Sequence, residues 1–411
     1  MTFLRAFTAR GRMLLCAGVL ITAGALALGD RDLARVGVLV TVLPLLSALA
    51  LLRAPRLVSH DRELTPARVP VGGDARVVIR VANTGSALPA GGLIVDDALP
   101  HTLGGPPRFA LGRLRRGEQR ELRYRVRSQV RGRFPIGPLT LTFDDPLRCA
   151  RVRWRVGSGV ALLVTPAVVA LDGMPLGGST GGTRGRVRAM SGAGEDDTLP
   201  REFRHGDDLR RVHWRSTARH GELMVRREEQ RWREHSTVLL DVRASAHRGD
   251  GPGSSLETAI SAAASIAAHL LAAGQELRLL TGATEVAAVG RADRVLDALA
   301  LVRPAPSPAL HGAVDRLRGS AASGRGMVVA VLGAVRAAEA DALADVRGAD
   351  GGPRVAVLCR GAAWSAPAAL PRVRERLAAA GWSVIELDSV EQLASAWRAL
   401  PSWAGRREAP R

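Results

Sequence analysis

The densest group of side chains that could do chemistry lies in REFRHGDDLRRVHWRSTARHGELMVRREEQ, residues 201–230. An imidazole beside carboxylates can form an acid–base pair, so His213 with Asp207 or Asp208 is the first catalytic candidate. Such a pair also needs a nucleophile or a metal, and the sequence shows neither a supported Ser or Cys nor a metal-binding cluster. We therefore expect a non-enzymatic protein and assign no catalytic residue.

The same segment could bind nucleic acid, because arginines clamp phosphates and Trp214 offers a stacking surface. Residues 201–235 contain ten Arg but also seven acidic residues, so the local excess of positive charge is small. The chain has a net charge of +19, yet every basic residue is Arg, which indicates a compositional bias. A basic balance still favours anionic partners, including the inner leaflet of a membrane. We expect no nucleic-acid partner and identify no small-molecule substrate.

Two interpretations of this segment stay open: an internal Arg–Asp–Trp network that joins two domains, or a surface that binds a protein partner. Asp207 follows a glycine and is typical of a helix start, because its side chain can accept hydrogen bonds from free backbone N–H groups. We expect the helix to end before Gly221. The residues assigned to this site are Arg201, Arg204, Gly206, Asp207, Arg210, His213, Trp214, Ala218 and Arg219.

Two charge-free apolar runs near the amino terminus, residues 13–29 and 36–52, predict a transmembrane helical hairpin over residues 1–55. Each is close to the shortest length that spans a bilayer, about 17 residues. A cleaved signal peptide would explain only the first run, and two buried helices of a soluble protein are the other alternative. Arginines flank the outer ends of the hairpin, so we expect a multi-pass cell-membrane protein with both termini cytoplasmic.

Residues 56–170 change to a period of two. The stretch ELRYRVRSQV (121–130) sets Leu122, Tyr124 and Val126 on one face and three Arg on the other, and RVRWRV (151–156) repeats the pattern. Such alternation, broken by Gly, Pro, Asn and Asp, predicts short antiparallel strands in a small β-sandwich. The Arg faces are either a solvated surface or a face turned toward anionic lipid. Cys149 has no His nearby and is expected to be a buried structural thiol.

The remaining chain predicts a connecting region, an α/β domain and a tail. Residues 171–235 hold a Gly-rich loop without a phosphate-binding pattern, followed by the segment described first. Residues 236–400 alternate continuous Val/Leu strands with helices, which predicts a Rossmann-type parallel sheet, and residues 401–411 form the tail. Ligands of such sheets bind at the carboxyl ends of strands, so residues 241–250, after the first strand, are the first place to look.

The segment at 201–230 and GPLTLTFDDPLR (137–148) resemble the DUF58 family of bacterial proteins. The first matches R-x-Y-x-x-G-D-x-x-R-x-I-x-W-x-x-(S/T)-A-R nearly throughout, with Phe203 in place of Tyr and Val212 in place of Ile. With the hairpin and the β domain, the resemblance covers most of the chain. It implies a membrane-anchored protein whose carboxy-terminal domain is similar to von Willebrand factor A domains. Proteins of this family often accompany MoxR-type AAA+ ATPases. We therefore expect a membrane-anchored, cytoplasm-facing adaptor or scaffold that works with such an ATPase or a membrane partner in assembly or envelope processes.

A von Willebrand A domain binds a divalent cation through D-x-S-x-S after its first strand, with Thr and Asp from later loops. Here the stretch reads DVRAS (241–245), so Arg243 stands where the first Ser would be, and MVVAVLG ends in Gly333 where an Asp is expected. Asp241 and Ser245 are therefore a degenerate site, and we expect Arg243 to neutralise Asp241. No cofactor is expected. The alternative is a divalent-metal-dependent binding or catalytic protein that uses this loop, with Mg²⁺ as the ion.

Overall fold

The computed structural model describes most of the chain outside a long connecting region and the carboxy-terminal tail. The described residues are 6–53, 57–85, 92–173, 200–202, 217–219, 221–222, 224–226, 235–282, 284–306, 310–323, 326–347, 352–359 and 369–400. They form a mixed α/β protein of two compact units. The first unit comprises Met1–Val168 and Leu296–Arg303, and the second comprises Val169–Val295 and Pro304–Arg411. The division into five parts drawn from the sequence stays a prediction.

Two helices, α1 (Ala9–Leu28) and α2 (Arg31–Arg53), open the first unit. Both are long and apolar enough to cross a membrane, as the charge-free runs predicted. Each extends beyond its apolar run because the flanking arginines and polar residues continue the helical backbone. The Thr8 side chain caps α1, and Gly29, in the left-handed conformation at φ 72°, ends it. Of the twenty large hydrophobic side chains exposed among the described residues, fifteen belong to these two helices, as lipid contact would require.

The two helices pack through a pair of Gly-x-x-x-Thr stretches. A Cβ added to Gly18 of α1 would lie 2.4 Å from the Thr41 hydroxyl oxygen of α2, and one on Gly37 would lie 2.4 Å from that of Thr22. Each glycine therefore faces the threonine of the other helix. Both hydroxyls donate back to a carbonyl four residues earlier, Thr22 to Gly18 and Thr41 to Gly37, so no polar group is left free at the contact. Small residues let membrane helices approach closely, which explains this contact.

Ten short strands in three sheets follow the hairpin. The sheet orders are β1-β3-β6, β2-β10-β7 and β5-β4-β8-β9. All described pairs are antiparallel except β2 with β10, and one hydrophobic core serves all three sheets. The strands are β1 (Val58–Thr65), β2 (Arg68–Pro70), β3 (Asp74–Asn83), β4 (Gly92–Asp97), β5 (Arg108–Gly112), β6 (Gln119–Arg127), β7 (Gly132–Ile136), β8 (Leu139–Asp144), β9 (Arg151–Val156) and β10 (Val160–Thr165).

The predicted period of two is found in these strands. In β6, Leu122 and Val126 are buried and Tyr124 is half-buried, while the arginines between them are exposed. The pattern is weaker in β9, where Val156 is buried but Trp154 is 38% exposed. β9 is the edge strand of its sheet, so its residues have a neighbouring strand on one side only. Cys149 is buried, as expected, and burial raises the pKa of its thiol.

A buried polar cluster links strands from two of the sheets. Arg62 of β1 donates to Asp97 of β4 at 2.6 Å, and the hydroxyl of Tyr124 of β6 donates to the other carboxylate oxygen at 2.6 Å. The Asp97 side chain is fully buried, and this burial raises its pKa against the opposing effects of the Tyr124 hydrogen bond and the Arg62 charge. Because buried charges need partners, the cluster fixes how these two sheets pair across the core.

The second unit contains a six-stranded sheet of order β15-β14-β13-β16-β17-β18, flanked by helices. All neighbouring pairs are parallel except the β14–β15 hairpin at one edge, which the sequence did not predict. A separate two-stranded ladder joins β11 (Pro200–Glu202) and β12 (Met224–Arg226). The sheet strands are β13 (His235–Leu240), β14 (Glu276–Thr281), β15 (Thr284–Val289), β16 (Val328–Leu332), β17 (Arg354–Cys359) and β18 (Ser383–Leu387). The helices are α3 (Ser255–Ala272), α4 (Asp293–Leu301), α5 (His311–Ser323), α6 (Ala337–Ala344), α7 (Ala369–Ala379) and α8 (Leu393–Arg398).

Helix α3 packs against the sheet of this unit and buries most of its residues. The Ser254 side chain accepts from the Glu257 backbone N–H and caps the helix. Its length and composition would also suit a membrane span, but 67% of its residues are buried inside the protein. Alanines along the helix allow close packing on the strands. α3 is therefore a core helix of a parallel sheet.

Widening Gly18 is expected to destabilise the hairpin. Gly18→Val must displace the Thr41 backbone and hydroxyl, and overpacking of this kind costs about 1–3 kcal/mol. Gly24→Val is the matched control, because no atom lies within 4 Å of a Cβ placed there. Melting temperatures of the full-length proteins in one detergent compare the two. Equal melting temperatures would contradict the packing described.

Candidate functional site

The candidate site lies where β13 and β16 end side by side in the parallel sheet. The chain leaves β13 toward β14 on one side and β16 toward β17 on the other, so the strand order reverses between them. In open α/β sheets ligands bind at this switch point, beyond the carboxyl ends of the strands. The residues that gather there are Asp241, Arg243, His247 and Glu339, called the switch-point cluster below.

Asp241 holds Arg243 by a two-point ion pair. Its backbone N–H donates to Val331 O of β16 at 2.8 Å, which continues the sheet one residue past β13. One carboxylate oxygen accepts from Arg243 Nε at 2.9 Å and the other from Nη2 at 2.8 Å. The Arg243 backbone N–H adds a third hydrogen bond at 3.1 Å. The Asp241 side chain is fully buried and that of Arg243 is 6% exposed, so water does not compete for this pair.

Glu339 of α6 binds the other side of the same guanidinium. Arg243 Nη1 donates to Glu339 Oε1 at 2.6 Å, and Nη2 also donates to Ala334 O at 3.2 Å. The second Glu339 oxygen accepts from the Arg336 backbone N–H at 2.9 Å, which fixes the carboxylate at the start of α6. Burial alone would lower the pKa of Arg243, but the hydrogen bonds and charge of Asp241, with the charge of Glu339, raise it above its ordinary value. Arg243 is therefore a permanent cation between two buried carboxylates.

The loops after β13 and β16 are joined to each other above this ion pair. Ala334 N–H donates to Ala246 O at 2.8 Å. A Cβ on Gly333 would lie 2.3 Å from that same carbonyl oxygen, so a residue with a side chain does not fit there. The position where the metal-binding pattern would place an Asp is thus occupied by backbone. The two loops and the Arg243 side chain fill the space that a ligand would enter.

His247 lies under the loop as a buried neutral imidazole. Its Nε2 is 2.8 Å from Asp241 O, and since a carbonyl can only accept, Nε2 carries the proton. Nδ1 then accepts from the Ser255 hydroxyl at 3.2 Å. Burial lowers the pKa of His247, and the nearby Arg243 charge lowers it further against the opposing effect of Asp241. Protonation of Nδ1 would remove its hydrogen bond and place a second cation in the cluster.

Of the two residues assigned to the degenerate metal site, only Asp241 belongs to the cluster. Ser245 is exposed on the turn at Ala244–Ala246, and among the described residues no hydrogen bond joins its hydroxyl to Asp241. Within the described ranges no group of three or more His, Cys, Asp or Glu side chains is arranged to hold a metal ion. Glu339 and His247 were not predicted from the sequence. The only sequence signal for Glu339 is its place three residues after Arg336, which is common at helix starts.

Most of the segment at residues 201–230 that carries the family pattern, called the signature segment from here on, lies outside the described residues. The residues outside include Arg204, Gly206, Asp207, Arg210, His213 and Trp214. Arg201 lies in β11, opposite Val225 of β12. Ala218 and Arg219 are exposed in a short helical turn at residues 217–219, and Gly221 follows it with φ 77°. The assignment of these residues to a partner-binding site stays a prediction.

The fold and the site define a mixed α/β protein with two amino-terminal helices apolar enough to cross a membrane. Residues 200–351, less than half of the chain, match the family model described as "Protein of unknown function DUF58". That match contains both strands of the β11–β12 ladder and the whole switch-point cluster. No curated protein matches the chain.

Solved structures resemble only parts of the chain. The CARDB domain of a Pyrococcus furiosus protein in complex with di-metal ions is 18% identical, with a TM-score of 0.20, over 26% of this chain and 91% of that one. The Pseudomonas fluorescens alkylpurine DNA glycosylase AlkC bound to DNA is 18% identical, with a TM-score of 0.17, over 31% and 38%. A Listeria innocua β-glucosidase is 15% identical, with a TM-score of 0.16, over 25% and 16%. Likenesses this weak carry no argument about function.

Removing the guanidinium is expected to destabilise the second unit strongly. Arg243→Met leaves Asp241 and Glu339 buried without their shared partner, which costs about 3–5 kcal/mol. Arg248→Met, in the exposed part of the same loop, is the control and should unfold like the wild type. Adding Asp241→Asn to Arg243→Met should recover part of the loss, because one uncompensated charge is removed. Urea unfolding of the full-length protein in detergent measures all four, and a loss below about 1 kcal/mol for Arg243→Met would contradict the argument.

The buried imidazole predicts a pH dependence of stability. The folded pKa of His247 lies below the ordinary 6.5, so between these two values the unfolded chain binds more protons. The free energy of unfolding should therefore fall as the pH is lowered through 6.5 toward the folded pKa. His247→Gln keeps a donor for Asp241 O and should flatten this dependence between about pH 7.5 and 5.5. His311→Gln, an exposed control, should behave like the wild type, and an unchanged slope in His247→Gln would refute the assignment.

Proposed function

We propose that this protein is a membrane-anchored, cytoplasm-facing adaptor or scaffold without enzymatic activity, which works with a MoxR-type AAA+ ATPase. The observation that carries the proposal is the closed switch point. The place where an α/β sheet presents its ligand is filled by Arg243, whose partners Asp241 and Glu339 are 0% and 4% exposed. A reaction needs polar groups that a substrate can reach, and these groups face each other instead.

The unit that begins at β13 is proposed to be a degenerate von Willebrand A-like domain. The mostly parallel strand order and the position of Asp241 directly after the first strand support this assignment. Arg243 supplies the positive charge that a divalent cation would otherwise bring to the two carboxylates. Since the charge is built into the chain, the surface around it would keep one conformation whatever the supply of metal ions.

The membrane anchor is proposed to be the α1–α2 hairpin, with both termini in the cytoplasm. Arg10 and Arg12 lie near the start of α1, and α2 ends at Arg53, whereas at the other end of the hairpin Arg35, near the start of α2, is paired with Asp32. Positive residues concentrate on the cytoplasmic side of short membrane proteins, which supports this orientation. The three-sheet part of the first unit, proposed to be sandwich-like, and the α/β unit would then both be cytoplasmic.

The protein partner is proposed to bind at the signature segment. Trp and Arg are the residue types that most often carry interface energy, and this segment combines them with Asp and His. The partner class, an AAA+ ATPase, rests on the family resemblance alone. The domain joint remains the competing role for the same residues.

A measurement of metal binding distinguishes the proposed adaptor function from the alternative of a metal-dependent protein. Full-length protein in detergent is titrated with Mg²⁺ and Mn²⁺ by calorimetry, and no heat of binding is expected. Tight binding that disappears in Asp241→Ala would overturn the closed-site argument and favour the metal-dependent alternative.

Partner capture tests the docking role. Tagged full-length protein is used to retrieve the co-expressed AAA+ ATPase, and Arg204→Ala and Trp214→Ala are expected to reduce recovery at least about tenfold, as for interface hot spots. Arg372→Ala, an exposed position on α7, serves as the control and should retain the partner. If folded Arg204→Ala and Trp214→Ala retain it equally, the segment is structural only.

A further inference from the structure

The turn between β8 and β9, residues 145–150, is fastened to the start of α1. Thr8 donates its backbone N–H to Cys149 O at 3.0 Å and its hydroxyl to Arg148 O at 2.7 Å. A Cβ on Gly11 would lie 2.0 Å from the Cys149 carbonyl oxygen, so only glycine allows this approach. Phe7 also pairs with Ala150 as an antiparallel bridge. The turn therefore holds a fixed position at the first turn of α1.

This position corresponds to the surface of a bilayer that contains the hairpin. The charge-free part of α1 begins at Met13, so Thr8, five residues earlier, lies about 7 Å outside the hydrocarbon core, at the level of the lipid headgroups. Met13 near the start of α1 is 73% exposed and Leu52 near the end of α2 is 46% exposed, and both need lipid as cover. Leu15, on another face of α1, packs against the core of the β unit. Lipid thus reaches the level at which the helices enter this unit.

The turn presents an apolar and a basic side chain outward. Leu147 is 48% exposed and Arg148 is exposed. Arg148 has φ 57°, and it is the one non-glycine residue with positive φ in the described part of the chain. The Asp145 carboxylate accepts from the backbone N–H groups of Leu147 at 3.2 Å and Ala150 at 2.7 Å, which stiffens the turn. The backbone of this rigid turn packs against α1, whereas the side chains of Leu147 and Arg148 are exposed.

The surroundings of the turn are positive. Arg10 and Arg12 are exposed on the turn of α1 that contains Gly11. Burial and the Asp145 charge raise the pKa of the Cys149 thiol, and Arg10 opposes them, so its charge acts at this turn. The nearest carboxylates are engaged: Asp145 in the turn itself and Asp144 in a two-point ion pair with Arg151, at 2.6 and 3.0 Å. Among the described residues, Arg10, Arg12 and Arg148 are in no ion pair.

We propose that residues 145–150 form a membrane-surface contact in which Leu147 enters the lipid interface and Arg10, Arg12 and Arg148 bind anionic lipid headgroups. This inference rests on the membrane anchorage proposed above. Anionic lipids attract basic residues at the cytoplasmic surface, and the arginines carry the complementary charge. Arg stems can lie along apolar surface while the guanidinium reaches the phosphate level. The contact would hold the β unit against the membrane by a second point besides the helices.

Lipid retention by the full-length protein tests the contact. Protein in mixed micelles of phosphatidylglycerol and phosphatidylcholine is analysed by native mass spectrometry, and the wild type is expected to retain phosphatidylglycerol preferentially. Arg148→Gly removes the charge but suits the positive φ, so it should fold well and lower the preference about fivefold. Arg148→Gly with Arg10→Gln should lower it about 25-fold. Arg148→Lys keeps the charge and should retain the preference.

Controls and contrary outcomes complete the experiment. Arg125→Gln removes an exposed arginine from β6, in a different sheet, and should leave the lipid preference unchanged. Leu147→Ser should lower retention of both lipids without changing their ratio. Wild-type preference in the Arg10→Gln, Arg148→Gly protein would overturn the proposed contact. Alkaline carbonate extraction of the wild type separates the two proposals: release from membranes defeats the anchorage, whereas a stably inserted protein without lipid preference defeats only the contact at the turn.

Discussion

The second unit depends on one guanidinium placed between two buried carboxylates. Asp241 is attached to β13 and Glu339 to α6, and Arg243 hydrogen-bonds to both and to the Ala334 carbonyl oxygen between them. The two buried carboxylates would repel each other strongly without a cation between them. The Arg243 guanidinium therefore allows the loops after β13 and β16 to pack together. With the two loops held together by this ion pair, Gly333 lies close to the Ala246 carbonyl oxygen and the Ala334 N–H donates to the same oxygen. A ligand crevice and this ion pair cannot occupy the same place.

The first unit depends on a different constraint, close backbone contact without side chains between. Gly11 meets the Cys149 carbonyl oxygen, and Gly18 and Gly37 each meet a threonine across the hairpin. These contacts set the distance between the two helices and the height of the β unit on them. Apolar side chains elsewhere on the helices remain free to face lipid. The glycine contacts thus position the helices and the β strands of the first unit, and the large hydrophobic side chains of α1 and α2 form the apolar surface of the hairpin.

The sequence predicted the helices and strands much better than the contacts between residues that lie far apart in the chain. Charge-free runs and alternation in strands such as β6 are local patterns, and the structure contains both of them. The partner of Arg243 on α6 lies 96 residues away, and that of Thr8 lies 141 residues away. No local pattern encodes such pairings, because they follow from which strands become neighbours. Trp154 shows the same limit, since its exposure depends on the edge position of β9.

Helix α3 has a consequence for the synthesis of the protein. It is long and apolar enough to span a membrane, as the two amino-terminal helices are, yet most of its residues are buried inside the second unit. What distinguishes it is the sheet that covers it, and strands β14 to β18 are translated after it. During synthesis, therefore, α3 is a third apolar segment that stays exposed until the later strands of the sheet have been translated and have folded onto it. Prompt folding of the α/β unit, or a chaperone that shields this segment, would keep it from associating with a membrane before the sheet forms.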